Sequence, residues 1–149
     1  MAHPLRILKT VGKVLAGTGL LVLLMQAVPY GRTHENPDTT KEPRWDSPRT
    51  RELAKRACFD CHSNETRWPW YADLAPFSWV VERDVNSARE VINYSEWDRA
   101  YEDANASSTS VRTENMPPVK YRLAHPESDL TKAEEDELAR GLDVSIGTP

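Results

Sequence analysis

Residues 58–62 read Cys58-Phe59-Asp60-Cys61-His62, and they hold both cysteines of the 149-residue chain. With no other cysteine available, a multi-disulfide framework is excluded, and the pair has to be explained as one unit. Two thiols three positions apart lie on one side of a helical turn, with an imidazole on the next residue. This is the C-x-x-C-H form of a c-type haem attachment site: the sulfurs reach two vinyl groups of one porphyrin, and the histidine meets the iron. Three other readings stay open. A vicinal disulfide needs nothing further, a thioredoxin-like pair needs a surrounding βαβ pattern, and half a zinc site needs a second cysteine pair or a spaced histidine pair. The last two requirements are not met, so the expected cofactor is one haem c held by two thioethers through Cys58 and Cys61, with His62 as an iron ligand.

Working outward, Ser47-Pro48 is an N-cap and first-turn signature, and Leu53, Ala54 and Ala57 supply an apolar face, so a helix leads directly into Cys58. A second helix is expected from Ser78 to about Asn93, with Val80, Val81, Val85, Ala88 and Ile92 as its stripe. Ser95 reads as the cap of a third, short helix containing Trp97, Ala100 and Tyr101. Asn105 to Thr113 (NASSTSVRT) reads as a surface loop. Thr131 and Glu134 form a capping box that opens a last helix carrying Leu138 and closing near Gly141. No stretch alternates well enough to demand a sheet, and no repeat is visible. The expected class is all-α.

For the sixth iron position the candidate is Met116, in Asn115-Met116-Pro117-Pro118, where two prolines hold the backbone extended. A methionine opposite a histidine raises the haem potential and suits electron transfer. His125, before Pro126, is the competing ligand; His34 and His3 are poorly placed. Trp68, Trp70, Tyr71, Phe77 and Trp79 crowd the segment after the motif and are read either as lining of the haem pocket or as ordinary core. Arg67, Arg83 and Arg89 are propionate partners by charge, or solvated surface. The acidic run Glu134 to Glu137 reads as a solvated helix face suited to the N-terminal dipole.

At the amino terminus Arg6, Lys9 and Lys13 precede an apolar run from Val14 to Val28 (VLAGTGLLVLLMQAV). This order marks an export signal or signal-anchor and places the body outside the cytoplasm. The best cleavage site, ending at Ala27 with Met25 two positions before it, matches the small-residue pattern poorly, which favours an uncleaved anchor. The expected organisation is a membrane segment over 1–30, an extended proline-spaced linker over 31–46, and a haem-binding domain over 47–149. The domain then stands in the periplasm on the inner membrane, or is exported if the segment is removed. Beyond residue 30 the chain has 16 basic and 23 acidic residues, a net charge of −7, which argues against a nucleic-acid partner.

The stretch CHSNETRWPWYADLAPFSWVVERDV, followed by NYSEW and MPPVKYRLAHPESDLT, resembles the bacterial haem-binding domain family, small proteins with C-x-x-C-H-S-N, P-W-Y, A-P-x-S-W and M-P-P segments. The likeness runs from about Pro29 to Leu142. It implies that Cys58, Cys61 and His62 are the haem-attachment residues and that Met116 is the M-P-P methionine. The layout of helix, C-x-x-C-H, later methionine and last helix is similar to single-domain cytochromes c. The sequence departs from the common family pattern at Ala72 and at Ser87-Ala88-Arg89. Mono-haem electron transfer with an unknown redox partner is the favoured function. A haem-based sensor of gas or peroxide is the alternative. Catalysis is disfavoured, because no distal acid–base pair is evident and His125 is the only suitably placed histidine.

Overall fold

The computed structural model describes residues 4–147, so His3 lies outside the described residues. The architecture is all-α: among the described residues there is no strand, only an isolated parallel bridge between Lys41 and Glu96. The chain divides into two units, one formed by the residues up to His34 with Pro69–Arg83, the other by Glu35–Trp68 with the chain from Asp84 onward.

In the first unit, helix α1 (Pro4–Met25) is apolar along its length apart from its basic start, and from Arg6 to Met25 none of its side chains is buried. Arg6–Met25 is 20 residues long and apolar enough to cross a membrane by length and composition, which meets the roughly 20 residues a bilayer core requires. Beyond α1, Gly31 takes a positive φ of 79°, and a Cβ there would stand 2.2 Å from the Ser78 carbonyl oxygen. Only glycine allows this crossing. A 3₁₀ turn (Trp70–Asp73) precedes helix α4 (Phe77–Val91), whose later residues belong to the second unit.

The second unit is built on α2 (Pro48–Ala57) and α7 (Lys132–Ile146), with the four-residue turn α3 (Phe59–His62) and the short helices α5 (Ser107–Arg112) and α6 (Val119–Ala124) around them. The Ser47 side chain accepts from the Thr50 N–H, as an N-cap should. Leu53 and Ala54 of α2, Phe59 of α3, Ile92, Tyr94, Val111 of α5 and Leu138, Ala139 and Leu142 of α7 form one buried cluster. Trp45, Phe59, Tyr94, Trp97 and Tyr101 extend it as a run of neighbouring rings 5.5–6.1 Å apart.

Several expectations are revised. The third helix does not form: residues 95–101 are irregular, because the Ser95 hydroxyl accepts from the Asn64 N–H while its carbonyl accepts from the Thr40 and Lys41 N–H groups. The expected loop at 105–113 is instead helix α5, held by burial of Val111 and Ser108 where it packs on α7. Val80 of the α4 stripe is 51% exposed, while Val85 and Ile92 are buried. The segment over 31–46 has no helix, yet its latter part is tied down, with Asn36 donating to the Thr66 carbonyl and Trp45 packed on Phe59 and Tyr94.

The last helix does not close at Gly141 but continues to Ile146. Gly141 is a close-approach position, where a Cβ would lie 2.1 Å from Thr50 Oγ1 on α2. The Thr131 capping box opens α7 as expected, but Glu134 is more than solvated surface: it also pairs with Arg49 at 3.1 Å and Arg56 at 2.7 Å on α2. Gly141→Ala should therefore destabilise the protein by about 1–3 kcal/mol in urea unfolding, although alanine is the better helix former by about 1 kcal/mol.

The Thr131 backbone N–H first, and the Arg56 guanidinium after it, hold the Glu134 carboxyl at about 2, below its ordinary 4.5. Because the folded-state value is the lower one, this contribution is complete above the ordinary value and is lost as pH falls through about 2. The stability gap between the native protein and Glu134→Gln, read from thermal unfolding, should be widest near neutrality and close progressively below about pH 4.5.

Candidate haem site

Helix α2 delivers Cys58, whose N–H bonds the Ala54 carbonyl at 2.8 Å; the chain then turns tightly, with the Cys61 and His62 N–H groups both donating to the Cys58 carbonyl at 3.1 and 2.9 Å. The two residues between the cysteines point inward and anchor the turn. Phe59 stacks on Tyr94 with ring centres 5.8 Å apart. Asp60 is buried and accepts from the Arg67 side chain at 2.9 and 3.2 Å, the Arg67 N–H at 3.0 Å and the Tyr121 hydroxyl at 2.6 Å. Burial opposes the Asp60 charge, but these hydrogen bonds outweigh it and hold the carboxyl below its ordinary range.

His62 Nδ1 lies 3.1 Å from the Ala88 carbonyl and 3.2 Å from the Ile92 carbonyl. Both partners are acceptors, so Nδ1 must carry the proton. Burial lowers the pKa of the ring, and the neutral ring therefore presents the lone pair of Nε2. A backbone carbonyl on the outer nitrogen is the usual support of a metal-ligating histidine. Ala88 meets the candidate ligand through its backbone carbonyl.

Cys58, His62 and Met116 share one cleft of about 280 Å³, walled otherwise mainly by Ile92, Tyr94, Val111 and Leu142. This lies just below the range of ligand pockets, roughly 300–1,000 Å³. Cys61 is on the same turn but is not part of the cleft wall; it lies within electrostatic reach of Asp84 and Lys120. The two sulfurs are not joined to each other. Burial pushes the thiols up to about 12 at Cys58 and about 11 at Cys61, the reverse of the lowered value that activates a thioredoxin-like cysteine. Among the described residues no three His, Cys, Asp or Glu side chains gather as a metal-ion cage, as a zinc site would need. The residues present fit a haem: an apolar cleft, a carbonyl-braced imidazole and a thioether.

The Met116 N–H donates to the Ser110 carbonyl at 3.1 Å, as does that of Asn115 at 3.0 Å, so the end of α5 holds the methionine as much as the prolines do. His125 does not line the cleft: its ring stacks on Tyr121 at 4.3 Å and pairs with Glu127 at 3.6 Å. His34 belongs to the first unit, 3.3 Å from the Ala72 carbonyl.

The post-motif aromatics do not line the cleft either. Trp70 and Phe77 are exposed, and Tyr94, which sequence reasoning passed over, is the aromatic of the wall. Arg89 is not free surface: it donates to the Ser63 and Glu35 carbonyls, Asn36 Oδ1 and Thr66 Oγ1 at 2.9–3.0 Å. Asp60 and Tyr121 were also missed, because their partnership spans 61 positions and leaves no local pattern.

An all-helical domain whose cleft joins the C-x-x-C-H turn to a methionine is that of a small haem protein. The family model for the haem-binding domain matches residues 20–143, so the chain belongs to that family and binds haem. Comparison with curated proteins and with solved structures finds no match.

Tyr121→Phe removes a hydrogen bond to a buried carboxylate, and the urea midpoint should fall by the equivalent of about 1.5–3 kcal/mol. A change within experimental error would mean that the Asp60 lock is not a stabilising contact.

Proposed function

We propose that the chain carries one haem c attached through Cys58 and Cys61, with His62 and Met116 as its axial ligands, and that it works as a mono-haem electron-transfer module. The observation that carries this reading is the cleft that Met116 and the carbonyl-braced ring of His62 both line. The haem supplies the one-electron chemistry. The chain's own part is to hold the imidazole in one tautomer and orientation, to present the thioether from a braced loop, and to keep the ring in an apolar wall, all of which limit reorganisation between oxidation states.

The same reading takes α1 as a membrane anchor. Arg6, Lys9 and Lys13 at its start keep that end in the cytoplasm, which leaves the haem domain in the periplasm of a bacterial cell. The net negative body suits a basic docking partner.

A second reading, a haem-based sensor or binder of small ligands, is favoured by one feature: Met116 is 42% exposed on a short loop, so a diatomic ligand has little to displace. Carbon monoxide binding to the reduced, undenatured protein separates the two.

Expressed with haem-maturation machinery, the native protein should retain its haem through acid–acetone extraction, whereas Cys58→Ser/Cys61→Ser should release it. Haem extracted equally from both would end the covalent reading. Met116→Ala should lose the sulfur-to-iron charge-transfer band and lower the reduction potential, while His125→Ala leaves both unchanged. The opposite pattern would make His125 the ligand.

A further inference from the structure

The strongest unassigned surface lies in the first unit, where the segment Pro69–Val81 carries large apolar side chains that the fold leaves uncovered. Trp70 is 76% and Phe77 59% exposed, with Leu74 and Val80 exposed alongside them. They are not scattered, because Tyr71 packs edge-on against both Trp70 at 6.0 Å and Phe77 at 6.3 Å. Asp73 is the only charged residue between Trp68 and Val81. A contiguous apolar patch on a small protein marks a contact surface.

The neighbouring end of α1 says what covers it. Gln26, just past the last residue of the helix, spends its whole amide inside the unit: Nε2 donates to the Val22 and Ala75 carbonyls at 3.1 and 2.9 Å, and Oε1 accepts from the Ala75 N–H at 3.1 Å and Arg32 Nη2 at 2.9 Å. Two donors and two acceptor lone pairs are all that a glutamine has. Full internal satisfaction is what a polar side chain needs at the border of a hydrocarbon layer, where water is scarce. The latch also fastens Ala75, in the middle of the aromatic segment, to the helix end. Just beyond it, Gly31 crosses against Ser78.

We propose that Pro69–Val81 is a second membrane contact, with Trp70, Leu74, Phe77 and Val80 seated in the headgroup layer beside the outer end of α1. Tryptophan and tyrosine favour that layer because an apolar ring and a polar edge are satisfied there together. The proposal rests on the reading of α1 as a membrane span, and it gives the exposed rings a lipid occupant.

The test uses the full-length haem-loaded protein in phosphatidylethanolamine–phosphatidylglycerol vesicles. Trp70→Cys, Phe77→Cys, Leu15→Cys in α1 and Arg140→Cys on α7 are each treated with a membrane-impermeant maleimide, and labelling is located by peptide mass spectrometry. Retained haem absorbance and helical circular dichroism establish that each variant is folded. Positions 70 and 77 should label roughly ten-fold more slowly than position 140, at a rate independent of protein density in the vesicle, as expected of side chains seated in the interface. Labelling of 70 and 77 at the rate of 140, with position 15 protected, would overturn the proposal and leave the anchor standing. Labelling of position 15 at the control rate would remove the anchor reading and the proposal with it. Protection of 70 and 77 that disappears on dilution of the protein in lipid would assign the patch to a second protein and overturn the lipid contact.

Discussion

The bond from His62 Nδ1–H to the carbonyls of Ala88 and Ile92 is the contact on which the site depends. A helix ends with carbonyls that have no intrahelical partner and with the negative pole of its dipole. Helix α4 ends at Val91, and the imidazole of the C-x-x-C-H turn answers that end. The contact thus ties the turn to the helix end, where the Ala88 carbonyl also accepts from the Ile92 N–H at 3.0 Å, and it fixes the tautomer. Because the ring is half-buried, an unpartnered Nδ1–H would be costly, so the orientation of the candidate iron ligand is set by the fold rather than by the metal it is to meet. The same phase of α4 turns Val85 inward, and Ile92, just past its end, is buried as well.

A second constraint acts on Met116. Asp60 is charged and buried between the two cysteines, and a buried carboxylate is tolerated only with donors around it. Three of those donors come from Arg67, close by in sequence, through its backbone N–H, Nε and Nη2, and the fourth from Tyr121 on α6, the helix that follows Met116-Pro117-Pro118. Ser110 holds the other side of that loop through the Met116 N–H. The methionine therefore sits between two attachments, one to α5 and one to the cysteine turn, which accounts for its place in the same cleft as His62 even though they are far apart in sequence.

The features that could be read in advance share a local cause. Ser47-Pro48 and Thr131 with Glu134 announce helices because a cap satisfies N–H groups within three residues of itself. The motif at 58–62 is legible for the same reason. Where reading failed, the deciding partner was distant. Ser95 has cap chemistry, but its hydroxyl is taken by Asn64. The run Ser107–Arg112 has the composition of a loop, yet Val111 finds the core and α7 covers it. Gly141 resembles a helix end, but it is glycine because Thr50 leaves no room for a Cβ. Crowded aromatics suggested a cofactor lining; that role falls to Tyr94, while Trp70 and Phe77 face outward.

Every side chain of the candidate site, from Cys58 and His62 to Tyr94, Met116 and Leu142, belongs to the unit of Glu35–Trp68 and the residues from Asp84 onward, and so do the carbonyls of Ala88, Ile92 and Ser110 that brace the ligands. The groups argued to meet lipid, from α1 through Gln26 to Trp70 and Phe77, belong to the other unit. The two sets of demands conflict: a haem cleft needs an apolar wall closed on itself, whereas a membrane contact needs an apolar face left open. Dividing the large side chains between two units lets each demand be met without weakening the other, so the proposed membrane contact can be altered at Trp70 or Phe77 without touching a residue of the candidate site.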